Sequence, residues 1–353
     1  MSPRDEPHRT AVEAWIEAIP KVELHVHIEG SIRPSTLLEL AGRNHVPLPA
    51  DTVEGLREWY RFTDFQHFVE VYLTLSRAIR TVDDIERVVR DFLAGQAEQN
   101  ILHTEATFTS LTHYRNWDLS FDDQIKAIQR ARDWAADELG VSLLLVIDIP
   151  RDLSTLQEAE MVADWTIDAR ELGVAALGLA GYERGHPPET FAAPFARARE
   201  RGQNAIVHAG ETGGPDSVRA AIDVLGSRRI GHGVRSVEDP TLIEVLRDRQ
   251  IPLEVCPTSN VCLGVYPDLA SHPLPTLVDE GLYVTLNSDD PPMFGTTLTG
   301  EYARAAATFG YEPERLERFV IDAARASLLD EAERLELLER LRAGLDAARS
   351  EHF

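Results

Sequence analysis

Short apolar runs rich in β-branched residues alternate along the chain with longer stretches whose apolar residues recur every three or four positions. The short runs are Val22–Ile28, Ile101–Thr109, Ser142–Pro150, Val174–Gly181, Asn204–Glu211, Arg229–Val234, Ile251–Pro257 and Leu282–Pro291. Each reads as a strand. The segment Ser154–Leu172 carries Leu156, Ala159, Val162, Ala163 and Ile167 at helical spacing, with Ser154 as a starting cap and Gly173 as a stop. Pro215–Gly226 and Pro240–Gln250 read similarly, each opened by the proline that a first helical turn tolerates. Strands separated by helices predict a parallel sheet, and eight such units predict a closed (β/α)8 barrel.

One interval breaks the rhythm. Between the first and second strands, residues 29–100 hold several helical stretches, including Asp64–Ile79 and Val82–Gln99. Extra length after a barrel strand emerges on the C-terminal face, where active sites of TIM barrels sit. The segment is therefore read as a helical lid. Its aromatic centre is Trp59, Tyr60, Phe62, Phe65 and Phe68, with Phe62 and Phe65 as expected apolar contacts to a bound substrate. Extra C-terminal helices over Pro313–Ser327 and Asp330–Arg349 complete the outer ring. No linker or low-complexity segment divides the chain, so residues 1–353 are read as a single domain.

Composition narrows the partners. With 59 acidic and 35 basic side chains the formal charge is −24, a surface that repels phosphate backbones and anionic lipid. Nucleic acid and membrane are poor expectations, and a small molecule is the better one. Residues 1–10 carry no apolar signal core, and no apolar stretch is long enough to span a bilayer. Cys256 and Cys262 match no metal or redox spacing. A cytoplasmic setting is the expectation.

The first strand places His25 and His27 two residues apart, hence on one face, with Leu24, Val26 and Ile28 on the other. Two imidazoles inside a barrel are costly unless something uses their nitrogens, and a divalent metal does. The fifth strand ends His208-Ala209-Gly210-Glu211, the sixth holds Gly231-His232-Gly233, and the eighth ends Asn287-Ser288-Asp289-Asp290. All converge on the C-terminal mouth. Imidazole and carboxylate donors suit zinc with a position left open for water. The only lysines, Lys21 and Lys126, are not placed to bridge two metals, so one zinc per chain is expected. Zinc lowers the pKa of its water from 15.7 to about 7. Displacing an amine from an aromatic ring further needs a group to hold and deprotonate the water, which His232 fits. It also needs an acid for a ring nitrogen, which Glu211 fits if burial keeps it protonated. Glu211 could equally orient a metal histidine.

These motifs resemble the adenosine deaminase family of the metal-dependent amidohydrolases. The resemblance runs from Pro20-Lys21-Val22-Glu23-Leu24-His25-Val26-His27 to Ser288-Asp289-Asp290-Pro291, nearly the whole chain. It implies that His25, His27, His208 and Asp289 hold one zinc. It also implies that Glu211 protonates the purine N1, that His232 orients and deprotonates the water, that Asp290 bonds N7, and that the Gly181 N–H bonds N3. Where adenosine deaminases read Leu-Asp-Gly after the paired histidines, this chain reads Ile28-Glu29-Gly30, more like the adenine deaminase branch; Glu29 is the candidate reader of the N9 side. Adenine deaminases, however, commonly carry serine where this chain has Gly181. On that residue the expected reaction is adenosine and water to inosine and ammonia. Free adenine and a 6-amino nucleoside such as aminofutalosine are the alternatives. From other classes, a cyclic-amide amidohydrolase or a non-catalytic metal-binding barrel remain.

Overall fold

Eight parallel strands hydrogen-bond in sequence order: β1 (Lys21–His27), β2 (Ile101–Phe108), β3 (Ser142–Pro150), β4 (Val174–Ala180), β5 (Asn204–Ala209), β6 (Arg229–His232), β7 (Leu253–Val255) and β8 (Val284–Leu286). The computed structural model describes residues 5–62 and 65–353, and side chains of residues 11–62 and 67–353. Closure between β8 and β1 uses little ladder. The Asn287 side chain accepts from the amides of Leu24 (2.8 Å) and His25 (3.1 Å), and His27 N–H donates to Asp289 C=O at 2.9 Å. This ring of strands with helices outside is the (β/α)8 barrel that the alternation predicts.

The predicted runs overshoot at their C-terminal ends, and the reason is local. Pro257 opens a helix (Pro257–Cys262), which cuts β7 short, and Pro291 opens another (Pro291–Phe294) after β8. The helix after β3 is capped by Thr155 in a capping box with Glu158, not by Ser154, and spans Leu156–Asp168. A helix at Asp5–Ala18 precedes β1 and was not foreseen; it packs against the C-terminal helix Glu331–His352. That helix in turn packs on Pro313–Ala326, which lies against β8 and β1.

The long first interval divides in two. Val82–Ala97 packs on β2 and on the helix Phe121–Leu139, so it belongs to the outer ring. The helices Pro34–Asn44, Val53–Tyr60 and Phe65–Ala78 are the true addition. Phe65–Ala78 supplies Phe68, Val69, Tyr72, Leu73 and Ser76 to the wall of the cavity at the barrel mouth. Phe62 is elsewhere: it packs edge-on against Phe68 (5.3 Å) and Phe294 (5.8 Å), behind the wall, because Phe68 occupies the inward position. The side chain of Phe65 lies outside the described residues.

β1 also departs from simple alternation. Between Glu23 and Val26 it advances three residues while β2 advances two, and the two consecutive amides of Leu24 and His25 converge on Asn287. The extra residue reverses the parity. Glu23 therefore turns toward the ring helix, where it accepts from Gln96 (2.7 Å) and Ser288, while His25 reaches Glu254 on β7.

Candidate active site

The barrel interior is built in layers. Val146, Ala176, Ile206 and the C-terminal Leu328 fill the lower part. Beside them lies a fully buried charged line. The Arg229 guanidinium bonds Glu105 (2.7 Å) and Glu254, and the other oxygen of Glu254 meets His25 Nδ1 at 2.9 Å. Each buried charge has its counterpart, the condition under which such groups are tolerated. Glu254 fixes the tautomer: His25 Nδ1 donates to the carboxylate, and its Nε2 lone pair faces upward. Sequence reasoning missed this. The signal was Leu253-Glu254-Val255, a lone carboxylate between two apolar strand residues, hence inward by parity.

Above that line four ligand atoms, from His25, His27, His208 and Asp289, lie within 4.8 Å of one another, all buried. His27 Nε2 is 3.1 Å from His208 Nε2 and 3.3 Å from Asp289 Oδ1, which is 3.4 Å from His25 Nε2. Ligand atoms about 2.0–2.1 Å from a tetrahedral zinc stand roughly 3.3 Å apart. The buried His25 Nε2 has no hydrogen-bond partner. Two facing imidazole nitrogens, an orphaned third and a carboxylate oxygen are a donor set that fits a divalent metal. Ser259 donates to Asp289 Oδ2 at 2.6 Å, holding that carboxylate in place.

His232 stands beside this set, its Nε2 3.7 Å from Glu211 Oε1 and 3.8 Å from Asp289 Oδ2. Its tautomer is dictated from a distance. Leu274 N–H donates to His272 Nδ1 (3.1 Å), so the His272 proton is on Nε2 and goes to Asn260 Oδ1 (3.1 Å). The Asn260 amide then donates to His232 Nδ1 (3.2 Å), leaving the His232 proton on Nε2, facing the cavity. Burial pushes His232 down to about 4 and keeps it neutral. Glu211 moves the other way: burial first, then the neighbouring Asp289 and Glu183 carboxylates, push its carboxyl up to about 8, and its Oε1 has no partner. The turn carrying Glu211 is pinned by Glu183, which accepts from the amides of Gly210, Glu211, Thr212 and Gly213 and from Ser217.

A cavity of about 180 Å³ opens over these groups, lined among others by His27, Tyr72, Asp148, Gly181, Glu211 and Asp290. Asp290 is raised to about 8 by burial and by Asp289, and its Oδ1 has no partner. Gly30 makes room for it: a Cβ there would lie 1.6 Å from Asp290 Oδ1. Gly30→Ala is therefore expected to displace Asp290 and lower kcat/KM about 10²-fold, the cost of an ångström of misplacement. Metal content should stay at the wild-type level; its loss would show that Gly30 supports the ligand set instead. Glu29 does not line the cavity. It is fully buried, accepting from Thr109 N–H (3.0 Å) and meeting His113 Nε2 (3.1 Å).

A model of the adenosine deaminase family matches residues 20–344. The chain belongs to this family. Among its relatives, the adenine deaminase of Rhodospirillum rubrum is 39% identical over 94% of this chain and 98% of its own. That of Pseudomonas savastanoi is 38% identical over 89% and 98%. The crystal structure of adenine deaminase from Arthrobacter aurescens superposes with a TM-score of 0.87 at 33% identity, covering 93% of this chain and all of that one. An amidohydrolase from Burkholderia ambifaria, solved with bound zinc, gives 0.89 at 26% identity over 97% and 94%. This family member is a hydrolase acting on the amino group of an adenine ring, which sets aside the cyclic-amide and non-catalytic alternatives. Its substrate is a small purine, and among the described residues no helix is long and apolar enough to cross a membrane.

Proposed function

We propose that the protein is a zinc-dependent adenine deaminase, converting free adenine and water to hypoxanthine and ammonia. The observation that carries the choice of free base is the run of relatives at 36–39% identity over about nine-tenths of the chain, named adenine deaminase throughout. The residue that favoured adenosine, Gly181, has a reason of its own. Its φ is +89°, and a Cβ would fall 2.3 Å from Asp152 Oδ1, so the glycine answers to the backbone and no longer speaks for a sugar.

In this reading His25, His27, His208 and Asp289 hold one zinc, which when bound makes a water acidic enough to attack at neutral pH. The ring lies with C6 toward the cluster. Glu211 delivers a proton to N1 as the water oxygen adds to C6. Its carboxylate then takes up the proton the water gives up and relays it to the C6 amino group, which leaves as ammonia. The proton left on the C6 hydroxyl returns to Glu211 as the oxo product forms. His232 holds the attacking oxygen through its Nε2–H, the orienting half of its expected role. Asp290 bonds N7 and the Gly181 N–H bonds N3. Glu29 acts through Thr109, holding the end of β2. Glu29→Asp, one methylene shorter, is expected to lose one of its two contacts and raise KM for adenine about tenfold with zinc content unchanged. An unaltered KM would remove Glu29 from the account. The reading as a whole is tested by ammonia release from adenine, adenosine, 2′-deoxyadenosine and aminofutalosine. Adenine should lead in kcat/KM, and a lead by any nucleoside would overturn it.

A further inference from the structure

The cavity wall contains one buried carboxylate that the chemistry above leaves unused. Asp148 lies on the inward face of β3, 2% exposed, two residues beyond the interior Val146 and paired in register with Gly178 of β4. Its neighbours Ile147 and Ile149 turn outward into the core under the helices. Thr109 neighbours the carboxylate, whose Oδ1 is buried without a hydrogen-bond partner. Thr109 is itself tied down, its amide held by Glu29 at 3.0 Å. A line of contacts thus runs around the rim from the end of β1 to the end of β2 to β3, and ends on an acceptor atom aimed into the cavity. An acceptor left unpaired in a buried site costs free energy, and a ligand that brings a donor recovers it.

The position of Asp148 in the barrel says which donor. The metal-type cluster draws on β1, β5 and the end of β8, Glu211 follows β5, and Asp290 follows β8. With C6 at the cluster, N1 at Glu211 and N7 at Asp290, the edge of the ring that carries N3 and N9 points away from the cluster, toward the wall formed by β3 and β4. Gly181 ends that wall on β4, and Asp148 stands on β3 beside it. Free adenine has an N–H on this edge; a nucleoside has a glycosidic carbon there, with no hydrogen to donate and a sugar to accommodate.

We propose that Asp148 is a specificity-determining residue, its free oxygen accepting the imidazole-ring N–H of an unsubstituted purine and thereby selecting the free base over N9-substituted substrates. The proposal rests on the adenine reading given above.

The test compares adenine with 9-methyladenine, which differs only at the atom in question. In the zinc-loaded wild type, kcat/KM for adenine should exceed that for 9-methyladenine by about 10³ or more, the scale set by a buried polar group left unpaired. Asp148→Ala should bring the two within about tenfold, and the near-isosteric Asp148→Asn, which keeps an acceptor without the charge, should fall between. Calorimetry with hypoxanthine and 9-methylhypoxanthine should show the same narrowing without turnover. A merely structural role would lower all four values together and leave the ratios intact. If the wild type discriminates and both variants keep its ratio while folded and zinc-loaded, the assignment of Asp148 fails alone. If the wild type itself accepts the methylated base as readily as adenine, this proposal fails; the adenine reading fails with it only if adenosine also overtakes adenine.

Discussion

Alanine in place of His25, His27, His208 or Asp289 is expected to remove bound metal and turnover together. Each contributes one of four buried ligand atoms gathered within 4.8 Å. Each variant removes one donor of the four that would hold the ion and leaves a gap at its place, so the ion is bound more weakly and its water is no longer held in position. The variants should differ in a second respect. His25→Ala also removes the Nδ1–H donor to one oxygen of the buried Glu254, whose other oxygen stays paired with Arg229. Losing a hydrogen bond to a buried charged group costs about 1.5–3 kcal/mol, so this variant should unfold at a lower temperature than His27→Ala even with both stripped of metal. Chelation of the wild type should lower its melting temperature, because a metal present at 1,000 times its Kd stabilises by about 4 kcal/mol. Metal analysis alongside thermal melts checks all three statements. Full metal occupancy in two or more of the four variants would sink the ligand set.

Glu211→Gln is expected to keep the metal and lose about 10²- to 10⁴-fold in kcat, the range for a positioned acid. Glutamine fills the same space but has no acidic proton. The reading of Glu211 as a support for a metal histidine is less favoured by the geometry. Its near contact is His232 at 3.7 Å, while the carboxylate that orients a cluster histidine is Glu254. Burial pushes Glu211 up to about 8, so the acid form is available at neutral pH. Its supply falls as pH rises through that value, so the acid-dependent rate should decline on the alkaline side. A variant whose pH profile and kcat match the wild type would return Glu211 to a supporting role.

The barrel was legible because each of its strands is an apolar β-branched run bounded by helix-forming sequence, and His25, His27, His208, Glu211, His232, Asp289 and Asp290 all sit at strand ends. What escaped the sequence depends on partners far along the chain. The extra residue in β1 is set by the Asn287 side chain, more than two hundred residues away, so Glu23 reads as inward when it faces the ring helix. The proton on His232 is placed by His272 and Asn260, neither of which carries a motif of its own. Phe62 had the right composition for a substrate contact, but Phe68, one helical face further on, took the inward position. Gly181 sits at a φ of +89° close to the Asp152 side chain, a backbone reason for glycine that local sequence does not announce. In each case the missing information was which side chain comes to rest opposite, a property of packing rather than of local pattern.

The most direct test is a competition with zinc-loaded enzyme, equimolar adenine and adenosine, and product masses followed in time. Hypoxanthine should appear first, with inosine trailing by a factor of about 10³ in rate. Inosine formed at an equal or greater rate would contradict the account.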